Sequence, residues 1–237
     1  MPQPVHYVPI VTTVVSAAFA VRLYRHWRSK PQATYLFWWF LGLLTYAAGT
    51  LTESLTTLLG WREIVFRLWY VTGALLGGAP LAQGTVYLLL SRRTANRLTV
   101  ALVTAVAFGA TCVFLSPIRH EAIDPTRLTG RVLGWQWVRM ISPFINLYAV
   151  LFLVGGALWS ARRYAREHGT SSRVWGNVSI AVGAILPGIG GSFTRLGHVE
   201  VLYVTELIGV CFVWLGYRAI VRDRAPSIHR MQAQTAQ

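Results

Sequence analysis

Residues 98–115, LTVALVTAVAFGATCVFL, run from Arg97 to Ser116 without a charged side chain. A helix needs about 20 mainly apolar residues to cross the roughly 30 Å hydrocarbon core of a bilayer. Working outward from this stretch, the same window finds seven apolar segments in all, at residues 7–25, 33–55, 61–90, 97–116, 137–160, 174–194 and 200–221. In lipid every backbone polar group has to be bonded inside the protein, which leaves only helices and closed barrels. No ten-residue alternation suggests a barrel. The expectation is an all-α, seven-helix integral membrane bundle over residues 1–222, with a short polar tail at 223–237.

Composition agrees with lipid as the solvent. Hydrophobic residues make up 54% of the 237 positions and charged residues 13%, about half the usual charged share. The mean hydropathy is +0.47. Cys112 and Cys211 both lie inside apolar runs and read as small packing residues. The net charge of +14 comes from 21 Arg, Lys30 and 8 acids, and its placement is informative. Arg22, Arg25, Arg28 and Lys30 follow the first span; Arg92, Arg93 and Arg97 follow the third. Arg162, Arg163, Arg166 and Arg173 follow the fifth, and Arg218, Arg222, Arg224 and Arg230 end the chain. Only Glu167 and Asp223 oppose these fifteen, a net +13 on one side, whereas seven Arg and six acids leave +1 on the other.

Positive-inside asymmetry of this size places the N-terminus outside and the C-terminus in the cytoplasm of a cell (inner) membrane, in a multi-pass protein. It also suits contact with anionic lipid heads, so nucleic acid is not needed to explain the basic excess. The first span is not expected to be a cleaved signal, because its positive cluster follows the apolar core instead of preceding it. Trp61, Trp135 and Trp137 fall at outer span ends and Trp27, Trp159 and Trp175 at inner ends, as an aromatic belt requires.

Ionisable side chains within membrane spans are costly, and they are the first candidates for function. Glu53, Arg67, Arg139, Arg195 and Glu206 all fall in the outer part of their spans, with Trp69 and Tyr70 nearby. These seven residues form the expected ligand-binding or network layer, with Glu53 expected beside Arg67 or Arg195. A structural set of paired charges explains the same pattern. The loop at 117–136, holding His120, Glu121, Asp124, Arg127 and Arg131, is long enough to serve as a lid or to be a solvated surface loop. Thr72, Gln83, Tyr87, Asn146, Asn177 and Ser179 continue the polar layer inward. Pro187 with Gly188, Gly190 and Gly191 can break or kink the sixth span, and the glycines from Gly183 to Gly191 allow close helix approach.

Several chemistries are absent. The only lysine, Lys30, lies in an inner loop, so a retinal Schiff base is excluded. All six His lie outside the spans or at their ends, which removes axial haem ligands. His6, His120, His198 and Glu200 share the outer side but have no metal-motif spacing. No catalytic, metal or cofactor constellation is found, and an enzyme is not expected.

The run Phe37-Trp38-Trp39 through Tyr46-x6-Glu53, then Trp61, Arg67, Trp69-Tyr70 and Pro80, resembles the seven-helix membrane region at the N-terminus of some bacterial sensor histidine kinases. The resemblance covers residues 30–95 by motif and the rest by topology. It implies an outward-facing sensory bundle that receives a small or lipid-like ligand. No dimerisation helix or kinase sequence follows residue 223, so a membrane or cytoplasmic protein partner is expected to carry any output.

The resulting expectation is a receptor-like membrane sensor. Two rivals stand beside it. The shared Arg-x-Tyr at Arg22–Tyr24 and Arg162–Tyr164 fits a three-plus-one-plus-three repeat and hence a small solute transporter. Glycine faces and exposed Trp fit a non-catalytic subunit or assembly factor of a larger membrane complex. The charge asymmetry makes one direct prediction: a reporter fused after Gln237 should behave as cytoplasmic, and an external reading would invert the charge assignment.

Overall fold

Each apolar run folds as helix, because helix satisfies its own backbone within the segment. The computed structural model describes residues 4–124, 128–166 and 171–234; the side chains of Arg195 and of residues 224–234 fall outside the described set. Seven helical rods follow one another: α1 (Val8–Ser29), α2 (Thr34–Leu59), α3 (Glu63–Leu89), α4 (Arg92–Leu115), α5 (Gln136–Arg166), α6 (Ser171–Arg195) and α7 (Val199–Gln234). No strand occurs among the described residues; Ile118 and Leu133 form an isolated bridge. The backbone of α7 is helical to Gln234, past the 222/223 boundary set from sequence.

Six of the seven helices are long and apolar enough to cross a membrane, one fewer than the sequence reading expects. The exception is α2, which is 26 residues long but rich in Thr, Trp and Tyr. Its hydroxyls turn back onto its own carbonyls: Thr45 donates to Gly42 at 3.0 Å, Ser54 to Thr50 at 2.8 Å and Thr56 to Thr52 at 2.9 Å. With these hydroxyls bonded internally, α2 packs between α1 and α3 and buries Glu53, Ser54 and Thr56. Contacts then run from α3 to α5, α5 to α6, α6 to α7 and α7 back to α1, with α4 against α3 and α5.

The helix break that Pro187 suggested for the sixth span does not occur there. Pro187 lies inside a continuous α6, packed on the glycine face of α7 at Gly209. α5 widens to a π-helical segment at Val150–Val154, and the sharper interruption lies in α3, where helix Glu63–Trp69 widens to a π-helical segment at Tyr70–Leu75 and turns at Gly77. Helix resumes at Ala79, with Pro80 in its first turn. Gly77 has φ +45°, a left-handed conformation that glycine adopts without a Cβ penalty. Asn146 of α5 fills the gap, donating from Nδ2 to the Ala74 carbonyl at 3.3 Å. A neighbouring helix thus bonds the backbone that the break releases.

The α6–α7 pair is joined through glycine. Gly176, Gly183 and Gly190 recur every seven residues on α6, and Gly209 and Gly216 do so on α7. In this antiparallel pairing, a Cβ at Gly183 would meet the Gly209 carbonyl oxygen at 2.5 Å, and one at Gly209 would meet the Gly183 carbonyl oxygen at 2.7 Å. Without a hydrophobic drive between helices in lipid, such close backbone packing is a main source of their association.

Gly183→Ala should therefore push α6 and α7 apart and lower stability in detergent by about 1–3 kcal/mol, the usual cost of overpacking. Gly188, with nothing within 4 Å of its added Cβ, should accept Ala without loss. Equal thermal shifts for the two variants would contradict the glycine seam.

Candidate functional site

Glu53 lies six residues before the end of α2, Trp69 six after the start of α3, and Glu206 seven after the start of α7. At about 1.5 Å per residue, all three reach the same layer, about 10 Å from the helix ends. There the bundle brings them together. The Trp69 indole Nε1 donates to Glu53 Oε1 at 3.0 Å, and the Glu53 and Glu206 carboxyls are close enough to interact directly. Glu53 is only 5% exposed. The Oε2 atoms of both glutamates are buried and have no hydrogen-bond partner.

Two tyrosines complete the layer. The Tyr46 hydroxyl donates to the Glu206 main-chain carbonyl at 3.0 Å, tying α2 to α7. Tyr203 is buried one turn before Glu206 on the same helix. The His6 ring packs edge-on to Tyr203 at 6.1 Å between centroids, and Thr57 Oγ1 donates to the His6 carbonyl at 3.2 Å, which brings the chain start down beside this layer. Tyr46 sits seven residues before Glu53 and Tyr203 three before Glu206, both spacings that place residues on one helix face. That periodicity is the sequence signal that would have added them.

Arg67 does not join Glu53 as expected. Its guanidinium takes Glu63, one turn earlier, at 2.9 Å from Nε and 2.7 Å from Nη2. It also donates to the carbonyls of Val113, Phe114 and Ser116 at the end of α4, the latter two at 3.0 Å. The last carbonyls of a helix have no intrahelical partner and sit at the negative end of its dipole, so a buried arginine suits them better than a distant carboxylate. Arg67 is the cap of α4. The side chain of Arg195 lies outside the described residues.

Arg139 and Tyr70 serve the same region as Arg67. Arg139 Nη1 donates to Gln136 Oε1 at 2.8 Å. A Cβ on Gly130 would meet Tyr70 at 2.9 Å and Arg139 at 3.4 Å, so both side chains lie directly under the connecting loop. That loop is pinned by Arg119 N–H to Val132 at 2.8 Å and Gly134 N–H to Pro117 at 2.7 Å. Val132 and Leu133 are fully buried in a cluster with Phe66, Tyr70 and Val138. The loop is thus packed into the α3–α4–α5 end, with Arg127 outside the described residues. On its surface, Glu121 is held below the usual carboxylate range by a backbone hydrogen bond and by Arg119 at 2.9 Å.

The expected layer therefore divides into two groups. Glu53, Trp69 and Glu206 form an acidic, aromatic-lined cluster; Arg67, Tyr70 and Arg139 anchor a loop. A third polar group lies deeper, where the Gln83 amide, fully buried, donates to the Ala95 carbonyl at 3.1 Å and Thr99 at 2.8 Å and accepts from Tyr148. Among the described residues no three His, Cys, Asp or Glu converge to hold a metal, His6, His120, His198 and Glu200 included. Comparison with protein-family models, curated proteins and solved structures found no match to the chain.

Arg67→Gln should strand the α4 carbonyls. The expected loss is about 2–3 kcal/mol, the scale of unsatisfied buried groups, with faster hydrogen exchange over residues 113–135. Unchanged exchange there would contradict the capping role.

Proposed function

We propose that the chain is a seven-helix membrane sensor, N-terminus outside and C-terminus in the cytoplasm, with α2 as the seventh span. Its Glu53–Glu206 pair receives a proton or a small monovalent cation from the outer side. The observation that carries this reading is the approach of two carboxyls from different helices, each with a buried unpartnered Oε2 and with Arg67 committed elsewhere. Like charges side by side in a low dielectric repel, and a positive charge placed between them removes the repulsion. The near-complete burial of Glu53 favours a small occupant over a lipid-like one.

Binding at this point favours a closed α2–α7 seam over an open one, which is the difference in affinity that any sensor requires. From there α7 runs on to the basic end, packed on α1 and α6, where a membrane or cytoplasmic partner would read the change. Transport is the second reading. The interruption of α3 at Tyr70–Gly77 favours it, because broken helices expose backbone to a moving solute.

Trp69 reports on the pair through its bond to Glu53. The fluorescence difference between the native protein and Trp69→Phe should change with pH or with Na⁺ or K⁺ concentration. Glu53→Gln and Glu206→Gln should each abolish that change while keeping stability within about 1 kcal/mol, typical of a substitution outside the structural framework. A response that persists in both variants would overturn the proposal. So would a large loss of stability in each single variant that the double variant restores, because the pair would then be architectural.

A further inference from the structure

A second cluster of charge lies toward the opposite end of α7, where it meets α1. Arg218 and Arg222 stand one turn apart on α7, and Arg22 faces them from α1. With Trp214, Tyr217 and Val221 they line a cleft of about 310 Å³, at the lower end of the roughly 300–1,000 Å³ of small-molecule sites. Its aromatic wall is held by neighbours. Trp214 stacks on Phe19 at 5.2 Å between centroids, and the Tyr217 hydroxyl is bonded to His26 Nδ1 at 2.6 Å.

The three arginines are exposed, and among the described residues no carboxylate pairs with them. The nearest acid in sequence, Asp223, is engaged by Arg173 at 2.6 Å. A topology signal alone needs no cleft and no convergence of three guanidinium groups from two helices. Arginine forks match the oxygens of a phosphate, and basic pockets between membrane helices hold anionic lipid heads. The surroundings favour a lipid over a soluble anion. Leu215, one turn from Arg218, is 60% exposed, and Val21, next to Arg22, is 50% exposed, so apolar surface suited to acyl chains adjoins the charged rim.

We propose that this cleft binds the phosphodiester headgroup of one anionic phospholipid, held by Arg22, Arg218 and Arg222 against Trp214 and Tyr217. The proposal rests on the membrane reading of the chain and is independent of what the glutamate pair binds. A lipid seated here clamps α1 to α7 at the end opposite the carboxyls.

The test uses the delipidated full-length protein in detergent, titrated with phosphatidylglycerol, phosphatidylcholine or inorganic phosphate and followed by native mass spectrometry. One phosphatidylglycerol should bind in clear preference to phosphatidylcholine. Arg22→Gln, Arg218→Gln and Arg222→Gln should each weaken it on the order of fivefold, and the triple variant about a hundredfold. Arg92→Gln with Arg93→Gln, away from the cleft, should leave it unchanged. Because each single change is at an exposed side chain, the test does not depend on the triple variant folding. Equal retention of phosphatidylcholine, undiminished binding in the single variants, or displacement of the lipid by equimolar inorganic phosphate would overturn the proposal.

Discussion

A bilayer core offers no water to a backbone polar group, and this constraint orders the rest of the molecule. Two departures from regular helix are met by a side chain from elsewhere. Asn146 takes the carbonyl released by the α3 interruption, and Arg67 takes the carbonyls at the end of α4. The hydroxyls of α2 turn back onto their own helix. Five buried side-chain atoms have no hydrogen-bond partner among the described residues, Ser16 Oγ, Trp61 Nε1, Ser142 Oγ and the Oε2 atoms of Glu53 and Glu206, and only the two carboxyl oxygens belong to ionisable groups.

The α1–α2–α7 side of the bundle carries opposite chemistry at its two ends. At one end two acids meet across the α2–α7 contact with aromatic neighbours. At the other, three arginines converge across the α1–α7 contact, also with aromatic neighbours. Between them α7 is held to α6 by glycine backbone packing, which transmits position well because helices at close approach leave little room for side-chain adjustment. A positive ligand at one end and an anionic headgroup at the other would act on the same rods.

Helix identity was legible because apolar runs near 20 residues have few alternatives in lipid. Helix ends were less so. The span drawn from Arg97 extends in the structure to Arg92, since Ser91 caps the helix with its side chain accepting from Thr94 N–H at 3.3 Å, and apolarity marks the membrane and not the helix. Arg67 takes a same-helix partner, Glu63 at four residues' distance, a spacing that favours pairing and that the search for intramembrane charges passed over. The Glu53–Glu206 approach depends on how α2 and α7 rotate about their axes, which no local pattern encodes. Depth could be counted from sequence, but facing could not.

A double-mutant cycle on stability tests the facing directly, because coupling energies report contact between particular side chains. If Glu53 and Glu206 repel across the seam, Glu53→Gln and Glu206→Gln will be non-additive by more than about 0.5 kcal/mol, with either single change relieving most of the repulsion. Glu53→Gln and Arg67→Gln will be additive. Coupling of Glu53 to Arg67 with none to Glu206 would contradict the carboxyl pair and restore an ion pair in its place.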